Sequence, residues 1–185
     1  MFFACEEIRR FGAGRATVVS IAAAAGMTHA NVYRYFPSKT ALFDAVSTDW
    51  LKRLEDMLRN ISDAPDPAHD KLERMVLSLA RAYRDKAEAE TAVFELFAGA
   101  FLAGRQPPRR HRARLAELFG RVIEEGASTG GFLLPASRAA SLIFDGLYRF
   151  LSPAAVLNDR DQSWNAMEKR MEQVFRGLLA VLRHG

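Results

Sequence analysis

The sequence predicts an all-α protein: a small N-terminal head of three helices followed by a larger antiparallel helical body, about nine helices in all. Apolar residues recur at three-and-four spacing along nearly the whole chain, which is the signature of helices with one buried face. No stretch of roughly five residues or more alternates apolar and polar side chains between turn signals, so strands are not expected. The texture also changes along the chain. Short helical pieces broken by Gly12, Gly14, Gly26 and Pro37 give way to longer amphipathic stretches, so the head is placed at residues 1–46 and the body at 47–185.

In the head, Gly12-Ala13-Gly14 reads as a loop between helices. Thr17 to Phe36 then reads as two short helices around a glycine: Thr17 caps the first, Thr28 caps the second, and Gly26 supplies the positive φ of a sharp turn. Ile21, Ala22, Ala25, Met27, Val32 and Phe36 are the expected small core. His29, Ala30, Asn31, Tyr33 and Arg34 are then left facing outward. A short polar helix with these side chains suits the DNA major groove, where recognition-helix residues reach base edges.

In the body, Leu42, Phe43, Val46, Trp50, Leu54, Met57, Leu58 and Ile61 mark one long helix from about residue 38, which would join head to body. Asp66-Pro67 is the expected N-cap and first position of the next helix, whose buried face runs from Leu72 to Tyr83. A third stripe, Val93 to Phe101, stops at Gly104 and Pro107-Pro108, and a fourth, Leu115 to Ile123, closes at Gly130-Gly131. Two last helices are expected, at about 136–152, ended by Pro153, and at about 162–184.

Composition narrows the function classes. The 185 residues are 49% hydrophobic, enough for a real core, and 26 Lys and Arg against 22 Asp and Glu leave +4, which permits polyanion binding without demanding it. Cys5 stands alone, so neither an internal disulfide nor a cysteine zinc site is expected, and a reducing, cytoplasmic setting fits. No apolar run approaches the roughly 18 to 20 residues of a membrane span, and Glu6-Glu7 arrives too early for a signal peptide. Membrane insertion and secretion are not expected, and the Asn60-Ile61-Ser62 sequon would stay unmodified. His29, His69, His111 and His184 show no metal-ligand spacing, and no carboxylate pair stands out for acid–base work. No metal, no cofactor and no enzyme activity are expected.

Through Thr17-Val18, Ile21-Ala22, Ala25-Gly26-Met27-Thr28, Val32-Tyr33, Tyr35-Phe36, Ser38-Lys39 and Leu42, the sequence resembles the TetR family of transcriptional regulators. Phe11-Gly12 sits where that family ends its first helix, although the family carries a longer first helix and a basic arm, and this stretch includes Glu6-Glu7. The resemblance implies a homodimer that binds double-stranded operator DNA and is released by a small-molecule effector held in the body. Carried over position by position, Thr17, Thr28, Tyr33 and Lys39 correspond to phosphate-contacting or backbone-fastening residues, and His29, Ala30 and Asn31, with Arg34 beside them, to base readers. The basic side chains Arg9, Arg10, Arg15, Arg34 and Lys39 against Glu6, Glu7 and Asp44 leave the head only mildly positive, so salt-sensitive binding is expected.

The family resemblance also implies a cavity in the body. Tyr83, Phe94, Phe97, Phe101, Phe119, Phe144 and Tyr148, with Arg149, are its expected lining, suited to an apolar or aromatic effector. Leu142, Ile143, Leu147 and Leu151, with Met171, Phe175, Leu178 and Leu182, are the expected dimer interface, a two-fold four-helix arrangement. Two other patterns have bland readings. Gly126-Ala127-Ser128-Thr129-Gly130 matches a hydrolase nucleophile pattern with Asp145 and His184 following in triad order, but it continues a helical stripe and reads as a glycine-capped helix end. Arg105, Arg109, Arg110, Arg112 and Arg114 could form a second nucleic-acid or acidic-effector patch, and read better as a solvated inter-helix face. The rival functions are a DNA-binding nucleoid or adaptor protein without a ligand response and, remotely, a serine hydrolase using Ser128.

Overall fold

The computed structural model describes residues 2–184, and among them it contains eleven helices and no strand. The head is built from α1 (Phe2–Arg15), α2 (Val18–Ala24), α3 (His29–Tyr35) and the first turns of α4 (Lys39–Ser62). Gly12, at φ 77°, breaks the helical backbone inside α1, so the chain turns there as the Gly12-Ala13-Gly14 loop requires. Thr17 and Ser20 form a reciprocal capping box: the Ser20 amide donates to Thr17 Oγ1 at 3.0 Å, and the Thr17 amide donates to Ser20 Oγ at 3.1 Å. Gly26 takes φ 66° in the turn, and Thr28 caps α3 by accepting from the Asn31 amide at 3.3 Å. Ser38 caps α4, whose 24 residues reach about 36 Å at roughly 1.5 Å per residue.

The body contains α5 (Ala68–Ala89), α6 (Thr91–Leu102), α7 (Gln106–Ser128), α8 (Ala136–Gly146), α9 (Tyr148–Leu151), α10 (Pro153–Asn158) and α11 (Trp164–His184). The single helix expected at 136–152 is broken at Leu147, and Pro153 opens α10 as well as ending what precedes it. The cause is local. Proline holds Ser152 extended at φ −91°, ψ 125°, and is itself suited to the first helical position, where a missing N–H costs nothing. These extra pieces raise the total above the expected nine. The Asp66-Pro67 start is displaced by one residue: Pro67 occupies the cap position without a side-chain bond, and the Asp66 carboxylate pairs with Arg74 at 2.5 Å.

Two apolar clusters hold the chain. The first joins Ala4, Ile8, Val18, Ile21, Ala22 and Val32 of the head to Leu42, Phe43 and Val46 of α4, and it includes Val93 at the start of α6. Phe36 is half-buried and packs against this cluster as expected, whereas Ala25 is half-buried outside it and Met27 is 36% exposed, so α1, α4 and α6 supply the rest of the small core. The second cluster runs from Leu51 on α4 through α5, α6, α7, α8 and α11. Two buried cations fasten its loops. Lys71 donates to the carbonyls of Ser62 and Ala64 and to Glu125, and Arg84 donates to the carbonyls of Asp159, Arg160 and Gln162. Lys71 thereby pairs the Ser62 carbonyl at the end of α4, and Arg84 ties the loop between α10 and α11 to α5.

Candidate functional site

The outward face of α3 carries the expected DNA-reading residues. His29, Ala30, Tyr33 and Arg34 are exposed and Asn31 is half-buried, while Val32 points into the core and fixes the rotation of the helix. His29 and Tyr33, four residues apart, meet edge to face with ring centroids 6.4 Å apart. The Arg34 guanidinium lies 5.0 Å from the centroid of the Tyr35 ring and donates to its hydroxyl at 3.1 Å. Lys39 reaches back across the head: its ammonium donates to the Gly14 carbonyl at 3.1 Å and sits 5.3 Å from the Phe43 ring centroid. Thr17 and Thr28, one at the start of each motif helix, remain exposed while capping, so both hydroxyls lie at helix N-termini where phosphate contacts are favoured.

The expected pocket residues divide. Phe94, Phe97 and Phe119 are fully sealed: Phe94 and Phe97 join Trp50 and Tyr83 in an aromatic cluster with centroids 5.3–6.0 Å apart, and Phe119 packs on Phe144 at 5.0 Å. They are core, and none of the three lines the cavity around Tyr83 or the groove between α4 and α7. Arg149 turns away to pair with Asp159 at 2.6 Å. Tyr83, Phe101, Phe144 and Tyr148 do meet around a cavity of about 60 Å³, together with Pro108, His111, Arg112, Leu115, Asp145, Leu151 and Ser152. Its floor is made by Tyr83, His111, Leu115, Leu151 and Ser152, all buried, and its mouth by Arg112, Asp145 and Tyr148, all exposed.

The floor holds a polar chain that no motif of the sequence marks. Glu55 Oε1 on α4 lies 2.6 Å from His111 Nδ1 on α7, and His111 Nε2 lies 2.9 Å from the Tyr83 hydroxyl on α5. A carboxylate only accepts, so Nδ1 carries the hydrogen, and in the neutral imidazole Nε2 then accepts from the phenol. Burial first, and then the Glu55 carboxylate, push the Tyr83 phenol far above its ordinary range, so it keeps its proton. His111 also lines a larger open groove of about 600 Å³ between α4 and α7, beside Lys52, Glu55, Arg59 and Arg110. It is therefore the wall between groove and cavity. The signal for it was present: His111 precedes Leu115, Leu118 and Val122 at helical spacing, which puts it on the buried face of α7.

Burial corrects the expected dimer surface. Ile143, Leu147, Leu151, Met171, Phe175 and Leu182 are all sealed in this chain's own core, so they are not available to a partner. Leu142 and Leu178 keep part of their surface, and Leu133 and Val181 nearby in sequence are 65% and 45% exposed. The arginine run is dispersed as well. Arg105 donates to the Thr40 carbonyl and the Asp44 carboxylate of α4, Arg114 pairs with Glu117, and Arg110 and Arg112 border separate cavities. Ser128 lies in the last turn of α7 with its hydroxyl donating to the Glu125 carbonyl at 2.7 Å. Gly130, at φ 75°, and Gly131 close that helix through bonds to Ala127 and Gly126, so the strand-to-helix elbow of a nucleophilic serine is not formed there.

A capped helix-turn-helix head mounted through one long helix on an all-helical body defines a class of DNA-binding regulator. Residues 3–46 match the family model described as bacterial regulatory proteins, tetR family, and residues 68–175 match the tetracyclin repressor-like C-terminal domain. The chain belongs to the TetR family. It is 30% identical over 115 residues to the nucleoid occlusion factor SlmA of Haemophilus influenzae, covering 60% of this chain and 48% of that protein. The chain thus spans about half the length of the curated relatives it matches. Among solved structures, it is similar to the fatty acid degradation regulator FadR of Bacillus halodurans, with 22% identity, a TM-score of 0.70, and coverage of 100% and 94% of the two chains. FadR of Bacillus subtilis in complex with stearoyl-CoA gives 18% identity, a TM-score of 0.68, and coverage of 97% and 96%. FadR of Thermus thermophilus in complex with lauroyl-CoA gives 20%, 0.65, and coverage of 98% and 92%. At these identities the structural likeness carries the fold alone.

Proposed function

We propose that this chain is a sequence-specific, DNA-binding transcriptional repressor, working as a cytoplasmic homodimer released from a palindromic operator by a small hydrophobic effector. The observation that carries the reading is the exposed polar face of α3, His29, Ala30, Asn31, Tyr33 and Arg34, on a helix whose pitch is locked by buried Val32 and the Thr28 cap. Residues 1–46 would read the DNA and residues 47–185 would dimerise and bind the effector. Thr17, Thr28, Tyr33 and Lys39 hold the phosphates in this reading, Lys39 giving up the Gly14 carbonyl to do so. The partly exposed apolar side chains Leu142 and Leu178, with Leu133 and Val181, supply the face for the second copy.

Release follows from population shift. An effector that prefers the state with wrongly spaced heads lowers operator affinity by its differential binding energy, and α4 carries the change in spacing from body to head. A cavity of about 60 Å³ is far below the roughly 300–1,000 Å³ of a pocket that encloses a drug-sized ligand, which favours a small effector over the long acyl chains named for the two FadR complexes. The test is selection of bound duplexes from a random pool, then titration against salt with the native chain and Tyr33→Ala. An enriched palindrome, bound with a steep salt slope and lost in the variant, supports the reading, and no enrichment overturns it.

The likeness to a nucleoid occlusion factor favours one second reading, a DNA-bound adaptor with no effector. That protein would select a duplex equally well, and no compound bound in the body would change its affinity.

A further inference from the structure

Ser152 Oγ is a buried polar atom with no hydrogen-bond partner, and Ser152 lies on the floor of the cavity already described. Such an atom is unfavourable, because it has lost its water and gained nothing in exchange. Its hydroxyl has a hydrogen to give and lone pairs to fill. Tyr83 lines the same cavity, and with the imidazole neutral and His111 Nδ1 donating to Glu55, its phenolic hydrogen is committed to His111 Nε2. That leaves Tyr83 Oη with lone pairs only. The residues around the cavity therefore include one acceptor, Tyr83 Oη, and one buried hydroxyl without a partner, Ser152 Oγ, beside the apolar side chains of Leu115, Leu151, Phe101 and Phe144.

We propose that this floor is a hydroxyl-recognition subsite, and that the ligand it takes is a small uncharged molecule with an apolar ring or short chain ending in one hydroxyl. The ligand's O–H donates to Tyr83 Oη and its oxygen accepts from Ser152 Oγ–H, so one group satisfies both unmet needs. An anionic head is disfavoured, because it would lose its water on a floor whose phenolic hydrogen is already spent and would face the lone pairs of Tyr83. The floor's size allows a head group only. About 60 Å³ is less than half of the roughly 150 Å³ of an engineered cavity that binds benzene, so the apolar part of the ligand extends to the mouth between Arg112 and Tyr148. The inference rests on the effector reading of the cavity for its regulatory meaning, and on the floor alone for its ligand chemistry.

The test uses phenol, and toluene as the match in size and shape that lacks the hydroxyl, titrated onto the full chain by isothermal calorimetry or ligand-observed NMR. Phenol is expected to bind at least ten-fold more tightly than toluene. Ser152→Ala, which removes one buried hydroxyl and leaves the His111 chain untouched, is expected to cut that preference to under three-fold, with circular dichroism unchanged. Tyr83→Phe is the companion variant, and the serine variant stands by itself should Tyr83→Phe fold poorly. Equal binding of the two probes, or a phenol preference that survives Ser152→Ala, overturns the proposal. Operator affinity measured in the same samples separates the two readings. Toluene binding as well as phenol while releasing DNA sinks the hydroxyl subsite and spares the effector, and a phenol preference without any change in DNA affinity does the reverse.

Discussion

Arg105, the residue before α7, donates to the Asp44 carboxylate and to the Thr40 carbonyl, both in the first two turns of α4. Eleven residues further along α4, roughly 16 Å at the helical rise, Glu55 meets His111 of the same α7. Helix α7 thus holds α4 at two places, one beside the head and one at the wall of the cavity. In the proposed mechanism, these two ties make α4 a lever through which a shift of α7 reaches the head.

The upper tie is weak in energy and long in consequence. Both side chains are about 30% exposed, so the pair behaves closer to a surface ion pair than to a buried one. A double-mutant cycle of Arg105→Ala and Asp44→Ala, read by urea denaturation, is expected to give a coupling of about 0.5–1 kcal/mol. If the proposed effector acts through α4, the same cycle read by operator affinity should show its influence on DNA binding reduced in each single variant. A coupling within error of zero would remove this tie from the lever.

Lys71 and Glu125 separate two kinds of stabilisation. The ammonium is 3% exposed and also serves the Ser62 and Ala64 carbonyls, whereas the Glu125 carboxylate is 47% exposed. Removing the acid leaves a cation that keeps two carbonyl partners and gains water, so Glu125→Gln should cost less than about 1 kcal/mol. Lys71→Ala strips both carbonyls at the α4–α5 corner and opens a cavity, and should cost about 2–4 kcal/mol. Equal losses in the two variants would show that the ion pair, not the carbonyl staple, carries the corner.

The Tyr83 phenol gives a pH signature. Its folded value is raised above the ordinary 10.0, so the unfolded chain releases this proton first as pH rises. The stability tied to the neutral phenol is complete below pH 10 and declines above it, by about 1.4 kcal/mol per pH unit until the folded group itself titrates. Of the four tyrosines, one should stay silent in an alkaline difference-absorbance titration until the fold gives way. In Tyr83→Phe the silent component should be absent.

The head was legible because its determinants are local. Thr17 and Ser20 cap within one turn, Thr28 caps its own helix, and Gly26 needs only its own φ, so each could be read from a few neighbouring residues. Met27 was misread because its exposure depends on where α1 and α4 lie, which no short window contains. The body shows the same limit on a larger scale. Periodicity correctly marked Ile143, Met171 and Phe175 as facing something apolar, but whether that is this chain or a second copy is decided by tertiary packing. The cavity floor was out of reach for a related reason. Ser152 enters it only because α8 breaks at Leu147 and Pro153 holds the preceding residue extended, and Glu55 meets His111 across 56 positions of sequence.

Two glycines on α7 should respond to the same substitution with opposite signs. Alanine in place of glycine favours a helix interior by about 1 kcal/mol, all else being equal. At Gly120 all else is equal: a Cβ there would meet nothing within 4 Å, and Gly120→Ala should stabilise the chain by several tenths of a kcal/mol up to that limit. At Gly126 the added carbon would sit 2.3 Å from two ring carbons of Phe132 and 3.0 Å from the Ala68 side chain. Phe132 is 4% exposed and belongs to the main core, so its ring cannot swing into solvent without losing burial worth about 1.5–3 kcal/mol. That overpacking exceeds the propensity gain, and Gly126→Ala should destabilise by about 1–2 kcal/mol in urea denaturation. The glycine that an active-site pattern would assign to a nucleophile turn is then explained as the space in which a core phenylalanine rests. A Gly126→Ala chain as stable as the Gly120→Ala chain would show that Phe132 has another place to go.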